Sequence, residues 1–596
     1  MTSTTDQDRP PATLVELFGR TAARYPDRPA AADDRQALSY AQLGARSDAL
    51  AARLRDSGVG REDRVGLYAD RSVDVFVSIL GILKAGAAYV AVDTRYPDAR
   101  RDLMLRESGA SVVVTQPGWE DRLPGLAADV LAWRSGPGDD AARPVAPVAE
   151  PDAAASVLFT SGSFGAPKAV VLEHRNIVSF ACNSALPRLG PGDRTGQISS
   201  ISFDAFHFEM WSTLAQGAEI AVLPPVPELL AADFQREMRR RRITAMLAPT
   251  LVVHHVVRED RDAFAPLRVL QAGGDVLQPS VCRELLAGDF TGALFNLYGP
   301  AEATTACTVH QVTPQDAASD TIPIGRALDG VSVHVLDERM APVPDGRVGE
   351  IYVGGGGVGR GYLDRPDLTE ERFVPDPFGD GNGRLYRTGD RARRREDGVL
   401  EYAGRLDGQV KIRGYRVEPG EVERALSRHP RVREAVVVAA GEGGDRRLVA
   451  FTVPDGDLLI RDLRDYAEAQ LPHFMAPSHY VVVPGIPGND NGKRDIGSLL
   501  GLLREHEQRH ERFVPPATDS ERYLAGLWEG MLAVERIGAG DDFFELGGHS
   551  LMAFRVQSRV KRDLGVALGQ KVVLRNSVLS DLAAAIDEAR EGEDPV

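Results

Sequence analysis

Short apolar runs alternate with amphipathic stretches over much of the first five hundred residues. Helical stretches such as Ser72–Lys84 lie between several of these runs. The alternation predicts an α/β fold with parallel sheets covered by helices. From Ile322 onward the pattern is richer in strands and turns (SVHVLDE, GEIYVGG, GVLEYAGR), which predicts a more antiparallel, β-rich part. The strand-like runs of the α/β part are Val65–Tyr68, Ser111–Thr115, Ser156–Phe159, Glu219–Leu223 and Val269–Gln271.

The C-terminal residues have a different, purely helical pattern. Thr518 and Glu521 form a T-x-x-E capping box, which predicts the start of a helix. Further helical segments are predicted after Ser550 and near Asp581–Ala589. These segments predict a small all-α bundle that folds by itself. The apolar face of its first helix consists of Leu524, Leu527, Trp528, Met531 and Leu532.

Composition narrows the possible classes of protein. The chain has 596 residues, of which 43% are hydrophobic, so several well-packed domains are expected. Its 70 basic and 86 acidic residues give a net charge of −16, which argues against nucleic-acid and membrane partners. Only 3 cysteines occur, and no signal peptide or long apolar segment is present, so we expect a cytoplasmic protein.

The segment SVLFTSGSFGAPKAVVLEHRN has the composition of a phosphate-binding loop. A predicted strand ends at Phe159, and small or hydroxyl residues and a lysine follow it. Backbone N–H groups of such a loop can turn toward phosphate, although an ordinary polar turn has the same composition. The candidate ligands of phosphate are Thr160, Ser161, Gly162, Ser163, Gly165 and Lys168.

Four later motifs carry further polar and aromatic residues. NLYGPAEATTA contains Tyr298, which can stack on a base, and Glu302, which can hold Mg²⁺. YRTGD ends in Asp390, which suits a ribose diol. GRLDGQVKIRGYRVEPGEVE supplies Arg405, and NGKRD supplies Lys493. Each motif taken singly also fits a solvated turn or a surface ion pair.

In this order, the motifs resemble the adenylation domains of nonribosomal peptide synthetases, within the superfamily of acyl-CoA synthetases and luciferases. The resemblance covers roughly residues 12 to 500 and includes LSYAQLGARSDALA, LKAGAAYVAVDTRYP, TSGSFGAPK, FDAFHFEMW, GEIYVGGGGVGRGYLDRPDLT and LPHFMAP. DDFFELGGHSL, around Ser550, resembles the phosphopantetheine attachment site of a peptidyl carrier protein. No second catalytic domain is recognised, so the chain is interpreted as a free-standing didomain.

The resemblance implies a large N-terminal subdomain with parallel sheets and a β-rich part at 12–406. A small α+β C-terminal subdomain at 407–500, a linker at 501–516 and an all-α carrier at 517–592 would follow. It also implies ATP, Mg²⁺ and 4′-phosphopantetheine on Ser550 as cofactors. An amino acid would be joined to ATP as aminoacyl-AMP and then transferred to the carrier thiol.

The resemblance also implies roles for single residues. Lys493 would bridge the substrate carboxylate and the α-phosphate, and Glu302 would hold Mg²⁺. Thr160 and the loop after it would cradle pyrophosphate. Asp390, assisted by Arg405, would bind the ribose.

Other implied roles concern adenine and the second half-reaction. Tyr298 would stack on adenine, and Asn296 would approach its edge. Asp407 would be the hinge between the subdomains. Lys411 and Gly414 would shape a tunnel for the pantetheine thiol.

Substrate selection is expected around FDAFHFEMW. By resemblance, Asp204 pairs with the α-amino group of an amino acid. The pocket has no other acid or base besides Lys493, so charged side chains are disfavoured. Leu, Ile or Val are expected first and proline next, with Thr305 leaving room for a polar group. The other pocket residues implied by the resemblance are Ala205, Phe208, Met246, Leu270, Ala272, Leu297 and Ala306.

Three residues depart from the family pattern. Phe164 and Ala301 stand where threonine is usual, and Ala169 stands where glycine is usual. One alternative is therefore a degenerate adenylation fold that serves as a binding scaffold. The other is an acyl-CoA synthetase that acts on a fatty or aromatic acid. Expected partners are a phosphopantetheinyl transferase and a downstream tailoring or condensation enzyme, and the need for an MbtH-like protein stays open.

Overall fold

The computed structural model describes most of the chain as two compact units. One unit holds most residues up to Arg416, and the other holds most residues after it. The described residues are 10–126, 128–146, 148–162, 167–379, 383–406, 409–412, 415–441, 446–456, 458–487, 494–509, 514–532, 534, 536–543, 546, 548, 550–566, 568 and 572–591.

The first unit contains two mainly parallel sheets, as the alternating pattern predicts. Strand order in one is β15-β14-β13-β12-β11-β9-β10-β1-β2, and in the other it is β18-β8-β7-β4-β3-β5-β6. The predicted strand-like runs all coincide with strands of these sheets. The strands of these two sheets are β1 (Pro29–Ala32), β2 (Ala37–Ser39), β3 (Arg64–Tyr68), β4 (Ala88–Ala91), β5 (Val112–Thr115), β6 (Asp129–Ala132), β7 (Ala154–Thr160), β8 (Lys168–Glu173), β9 (Arg194–Gln197), β10 (Glu219–Val222), β11 (Ala245–Pro249), β12 (Val269–Gly273), β13 (Ala293–Tyr298), β14 (Thr308–Gln311), β15 (Arg326–Ala327) and β18 (Gly361–Tyr362). The strands outside them are β16 (Val331–Leu336), β17 (Val348–Gly355), β19 (Phe373–Pro375), β20 (Arg384–Arg394), β21 (Leu400–Arg405), β22 (Val410–Ile412) and β23 (Tyr415–Val417).

Helices connect and cover these strands. The predicted helix at residues 72–84 is α3, which begins after Ser72 and ends at Gly86, whose φ of 100° is left-handed. Helix α3 is apolar on all sides and buried, as expected for a helix between layers rather than on the surface. The helices are α1 (Leu14–Arg24), α2 (Tyr40–Asp56), α3 (Val73–Ala85), α4 (Asp98–Glu107), α5 (His174–Ala181), α6 (Thr213–Ala215), α7 (Val226–Ala231), α8 (Phe234–Arg240), α9 (Thr250–Glu259), α10 (Pro279–Leu286), α11 (Pro314–Ala317) and α12 (Pro366–Arg372). Of these, α7 is assigned to the second unit.

The β-rich part that follows Ile322 is an antiparallel sheet, as predicted. Its strand order is β16-β17-β20-β19, and β21 pairs with β20. The pairing of β20 with β21 sets Asp390 opposite Arg405. This register brings together two of the residues that the sequence assigns to the ribose.

The second unit begins with a small α+β domain. It contains α13 (Pro419–Ser427), β24 (Val432–Ala440), β25 (Arg447–Pro454), α14 (Ile460–Gln470), β26 (His479–Val482) and α15 (Ile496–Arg509). The prediction of a linker at 501–516 is wrong in its first part, because α15 continues to Arg509. Leu503 on that helix is only 4% exposed and joins the core of this domain. The second half of this helix is rich in charged residues, so the sequence pattern did not predict it.

The all-α bundle also forms as predicted. Its helices are α16 (Asp519–Leu532), α17 (Ser550–Leu564), α18 (Val572–Arg575) and α19 (Leu579–Glu591). The capping box is confirmed: the Glu521 backbone N–H donates to Thr518 Oγ1 at 3.0 Å, and Glu521 Oε2 accepts from the Thr518 N–H at 3.1 Å. Before α17, a Cβ at Gly548 would lie 2.4 Å from the carbonyl oxygen of Phe543, so only glycine fits there.

Candidate active site

Glu302 is the centre of a buried charged cluster. It lies in a short 3₁₀ turn directly after β13, and none of its surface is exposed. Tyr362 donates its hydroxyl to Glu302 Oε1 at 2.8 Å, Arg416 Nη1 lies 3.2 Å from Oε2, and Lys168 Nζ lies 3.9 Å from Oε1. Burial raises the pKa of Glu302, but Arg416 and then Lys168 outweigh burial and lower it to about 2. The carboxylate is therefore ionised at neutral pH.

The predicted phosphate loop connects the antiparallel strands β7 and β8. Thr160 pairs with Lys168 across the two strands, so the loop starts and ends beside the Glu302 cluster. Thr160 Oγ1 donates to the Lys168 carbonyl at 3.5 Å, and Ser161 Oγ donates to the Arg416 carbonyl at 2.8 Å. Gly162 is the last described residue before the loop, since residues 163–166 lie outside the described part.

Asp390 is the centre of a second polar cluster. Tyr298 donates its hydroxyl to Asp390 Oδ2 at 2.7 Å, and Arg405 Nη1 donates to Oδ1 at 2.6 Å. Tyr402 adds a bond to Oδ1 at 3.3 Å. Lys411 Nζ lies 5.8 Å from the ring centroid of Tyr298, close enough for a cation–π interaction. The structure thus brings together Tyr298, Asp390, Arg405 and Lys411, which the resemblance assigns to adenine, the ribose and the thiol tunnel.

Gln409 connects the two clusters. Its Oε1 accepts from Arg405 Nη2 at 2.5 Å and from Arg416 Nε at 2.7 Å. Sequence reasoning missed Gln409 and Tyr362, although both lie inside motifs that carry the resemblance. Asn296, predicted at the adenine edge, donates through Nδ2 to the Pro323 carbonyl at 2.8 Å.

Asp204 stands at the start of the short helical segment that continues into a π-helical turn at Phe208–Ser212. Burial, and to a lesser degree nearby Glu302, raises the pKa of Asp204 to about 7, while the Ala205 backbone N–H and Lys411 oppose this shift. Within the described residues Asp204 forms no ion pair. A half-buried carboxyl without a cation is a position where an ammonium ion can bind.

Several predicted pocket residues pack together next to Asp204. Phe208, Leu297 and Ala306 belong to one apolar cluster, against which Ala205 packs. Thr305 Oγ1 donates to the Asp204 carbonyl at 2.8 Å and lies 3.3 Å from His207 Nδ1. Five of the eight residues predicted around Asp204 are therefore neighbours in the structure: Ala205, Phe208, Leu297, Thr305 and Ala306.

The placement of Met246, Leu270 and Ala272 in this pocket is wrong. In the parallel sheet Gly273 pairs with Leu297, so Leu297 shares a face with residues 269, 271 and 273 of β12. Leu270 and Ala272 point to the opposite face, and Met246, which pairs with Leu270, points there with them. Resemblance alone left the strand register one residue off, and in a strand one residue reverses the face.

Some predicted site residues are outside the described part of the chain. These residues are Ser163, Gly165, Asp407, Gly414 and Lys493. Ser550 is the first residue of α17, the position predicted from the attachment-site motif.

The chain matches the models of three protein families. The family described as AMP-binding enzyme matches residues 18–363, which is more than half of the chain. The chain belongs to the AMP-binding enzyme family. The AMP-binding enzyme C-terminal domain matches residues 421–493, and the phosphopantetheine attachment site matches residues 522–586. This AMP-binding enzyme thus carries an adenylate-forming domain followed by a carrier.

Relatives of this AMP-binding enzyme include nonribosomal peptide synthetases. Gramicidin S synthase 2 of Brevibacillus brevis is 37% identical over 97% of the chain. Phosphinothricin tripeptide synthetase PhsC of Streptomyces viridochromogenes is 37% identical over 99% of the chain. The chain spans only 13% of the length of the first relative and 54% of the second.

Solved structures match most or nearly all of the chain. Holo-PA1221, an NRPS protein containing adenylation and PCP domains, has a TM-score of 0.82 at 29% identity, and the match covers 98% of this chain and 99% of that one. The artificially fused adenylation-PCP didomain NpsA-ThdA from Klebsiella oxytoca has a TM-score of 0.70 at 28% identity over 84% of this chain and 97% of that one.

The matched families imply ATP with Mg²⁺ and 4′-phosphopantetheine, and the described residues fit the first two. Glu302 is an ionised, buried carboxylate, the ligand type that Mg²⁺ prefers. Lys168 and Arg416 beside it are cations suited to phosphate. The described part of the chain holds no cluster of three or more histidine, cysteine, aspartate or glutamate residues that would bind a metal by itself. None of its helices has the length and hydropathy that crossing a membrane requires.

Proposed function

We propose that this enzyme uses ATP to activate an α-amino acid as aminoacyl-AMP and transfers the aminoacyl group to 4′-phosphopantetheine on Ser550. The observation that carries the proposal is the Asp204 carboxyl group, which is half-buried and forms no ion pair among the described residues. A fatty or aromatic acid offers it no cation, whereas the ammonium of an amino acid does. The acyl-CoA synthetase alternative is therefore disfavoured.

The charged cluster supports the first half-reaction. An anionic carboxylate must attack an anionic phosphate, so positive charge has to surround the reacting groups. Lys168, at the end of the predicted phosphate loop, and Lys493 would supply that charge. Glu302 would hold Mg²⁺, which neutralises phosphate charge when it is bound. Thr160 and the loop after it would hold the pyrophosphate.

The Asp390 cluster supports nucleotide binding. The Tyr298 ring is fixed by its hydroxyl bond to Asp390, which suits stacking on a flat base. Asp390 would accept hydrogen bonds from the ribose, and Arg405 holds its carboxylate in place. Asn296 keeps its amide oxygen for the adenine edge, because its Nδ2 already donates to Pro323.

The second half-reaction would use the same site after a rearrangement about Asp407. Lys411 and Gly414 would then line the path of the pantetheine thiol. A phosphopantetheinyl transferase would first modify Ser550, and a tailoring or condensation enzyme would consume the aminoacyl thioester. The relatives named above are peptide synthetases, which supports a role in the biosynthesis of nonribosomal peptides or other products derived from amino acids. The enzyme would act in the cytoplasm, where ATP and CoA are available.

The substrate would be an uncharged amino acid of medium size. The cluster of Phe208, Leu297 and Ala306 gives it an apolar wall, which offers no partner for a charged side chain. Leu, Ile, Val and Pro remain candidates on size alone. Their support is weaker than the sequence suggested, because Met246, Leu270 and Ala272 point away from Leu297.

Amino-acid-dependent exchange of pyrophosphate into ATP tests the proposal directly. The panel should contain the standard amino acids, common nonstandard ones and the desamino acid that matches the best substrate. Much faster exchange with one or a few amino acids than with the desamino acid supports the proposal. Exchange with fatty or aromatic acids alone would establish the acyl-CoA synthetase alternative, and no exchange at all would favour the scaffold.

A further inference from the structure

Tyr362 connects an edge strand of the second sheet to the buried cluster around Glu302. It lies on β18, which pairs antiparallel with β8, and its partner across the pair is Val170. Lys168 precedes Val170 by two residues, so the side chains of Lys168 and Tyr362 share a face of the sheet. Only 5% of Tyr362 is exposed. The strand pairing thus carries a buried tyrosine to the residues that are assigned to phosphate and Mg²⁺.

The hydroxyl of Tyr362 contacts three polar groups. It donates to Glu302 Oε1 at 2.8 Å, accepts from Lys168 Nζ at 3.5 Å and lies 3.4 Å from the hydroxyl of Tyr386. A tyrosine hydroxyl is neutral at neutral pH and has one proton to donate. Because an ionised carboxylate can only accept, the short contact shows that this proton points at Glu302.

Packing holds the ring that carries this hydroxyl. Phe373 meets the Tyr362 ring edge-on, with the ring centroids 5.5 Å apart, and Lys168 Nζ lies 5.0 Å from the centroid of Tyr362. The backbone N–H of Tyr362 donates to Thr369 Oγ1 at 3.0 Å. The position of the hydroxyl is therefore set by rigid surroundings, which lets it orient the group that it bonds.

The two oxygens of Glu302 have different neighbours. Oε1 accepts the neutral Tyr362 hydroxyl at 2.8 Å, while Lys168 Nζ, at 3.9 Å from it, is beyond hydrogen-bond distance. Oε2 lies 3.2 Å from Arg416 Nη1. A carboxylate oxygen has two lone pairs, so Oε2 can keep this contact and still ligate a metal ion. A neutral donor at Oε1 fixes the carboxylate without adding a positive charge that would compete with the metal.

We propose that Tyr362 is a positioning residue whose hydroxyl holds Glu302 Oε1 and thereby presents Oε2 to the Mg²⁺ that accompanies ATP. This inference rests on the proposed function, which places Mg²⁺ at Glu302, and adds to it the residue that orients the ligand. Carboxylates that bind metals are generally hydrogen-bonded themselves, and removing such a partner lowers metal affinity by roughly 10–100-fold.

Nucleotide binding with and without Mg²⁺ tests this role without turnover. The probe is α,β-methylene-ATP, and calorimetry measures its affinity once in excess Mg²⁺ and once in EDTA. The ratio of the two affinities is the gain that Mg²⁺ supplies. Tyr362→Phe removes only the hydroxyl and keeps the ring contacts, so it should lower this gain by about 10-fold or more. Its affinity in EDTA should equal that of the wild type.

Two further variants separate positioning from a general loosening of the sheets. Tyr352→Phe removes the hydroxyl of another buried tyrosine, which donates to Glu350 Oε2 at 3.4 Å, and should keep the full gain. Glu302→Gln should lose the gain, and adding Tyr362→Phe to it should lower the gain no further, because the hydroxyl acts through Glu302. Thermal unfolding checks that each variant is folded, and Tyr362→Met replaces Tyr362→Phe if the latter is not.

The outcomes separate this inference from the proposed function. A Tyr362→Phe enzyme with the full gain would overturn the positioning role, and so would an equal loss in Tyr352→Phe or an additive loss in the double variant. A wild type that shows the gain but exchanges pyrophosphate with no amino acid would overturn the proposed function, while a reduced gain in Tyr362→Phe would still support the role of Tyr362. A wild type whose nucleotide affinity does not respond to Mg²⁺ would overturn both.

Discussion

The guanidinium of Arg416 lies 3.2 Å from the carboxylate of Glu302, although no part of Glu302 is exposed to water. Glu302 also accepts a hydrogen bond from Tyr362 and lies near Lys168. One buried carboxylate therefore holds two cations in the region assigned to phosphate. Its charge matters both for stability and for the chemistry.

Glu302→Gln should reduce both activity and stability. The amide is a poor ligand for Mg²⁺, and it leaves two cations without their carboxylate, a change that costs about 3–5 kcal/mol in a buried pair. We expect at least a 100-fold loss of pyrophosphate exchange and a lower midpoint of thermal unfolding. Glu371→Gln, on a side chain that is 52% exposed, should change neither.

The stability effect of Glu302 should depend on pH in one direction. Its pKa is lowered from 4.5 to about 2 in the folded protein, so the folded state favours the carboxylate. The stabilisation is full above about pH 4.5 and is lost as the pH falls toward 2. Urea unfolding of wild type and Glu302→Gln between pH 3 and 7 should therefore differ least at the acid end; a constant difference would contradict the assignment.

Asp204 should make amino-acid use depend on pH near neutrality. Burial raises its pKa from 3.8 to about 7, so in the free enzyme the carboxylate forms as the pH rises through that value. Because only the carboxylate binds an ammonium ion, kcat/KM for the amino acid should rise toward a plateau above pH 7. Measurement between pH 5.5 and 8.5 checks this, with the desamino acid as the control that lacks the rise.

Asp204→Asn should remove that rise and discriminate between the two substrates. We expect a marked loss for the amino acid, because its ammonium loses its counter-charge in a half-buried site, and a smaller loss for the desamino acid. Equal losses for the two substrates would take Asp204 out of the amine site and revive the acyl-CoA synthetase alternative.

Lys493→Ala should separate the two half-reactions. Its ammonium is expected only where carboxylate attacks phosphate, so adenylate formation should be largely lost. Thioester formation from supplied aminoacyl-adenylate should be mostly retained. If both fell equally in rapid-quench assays, the division of roles between Lys493 and the Lys411 region would be wrong; Lys561→Ala on the carrier is the control.

Much of the fold could be predicted because local signals and packing agree. The T-x-x-E box at Thr518 and the apolar face around Trp528 specify the same helix, and the structure has both. The helix that contains Leu503 was not predicted, because its second half is charged. The burial of Leu503 depends on tertiary contacts that the local sequence pattern does not record.

The candidate site also has a part that the sequence predicts and a part that it does not. Tyr298, Asp390 and Glu302 lie in motifs that carry the resemblance, and the structure joins Tyr298 to Asp390 and sets Lys168 beside Glu302. The face of β12 could not be predicted, because every residue from Val269 to Ala272 is buried and no alternation of polar and apolar residues fixes the register. Pairing with Leu297 supplies the missing information and places Leu270 and Ala272 on the opposite face of the sheet.

Covalent loading of Ser550 tests the central claim most directly. After treatment with a phosphopantetheinyl transferase and CoA, intact-protein mass spectrometry should find one pantetheine arm on the wild type, and one aminoacyl group after ATP and substrate are added. Ser550→Ala should gain neither and should keep its pyrophosphate exchange, because adenylation needs no thiol, while the control Ser580→Ala should behave as wild type. A Ser550→Ala protein that still takes the arm, or a modified wild type that never gains an aminoacyl group while exchange proceeds, would contradict the claim that this enzyme loads its own carrier.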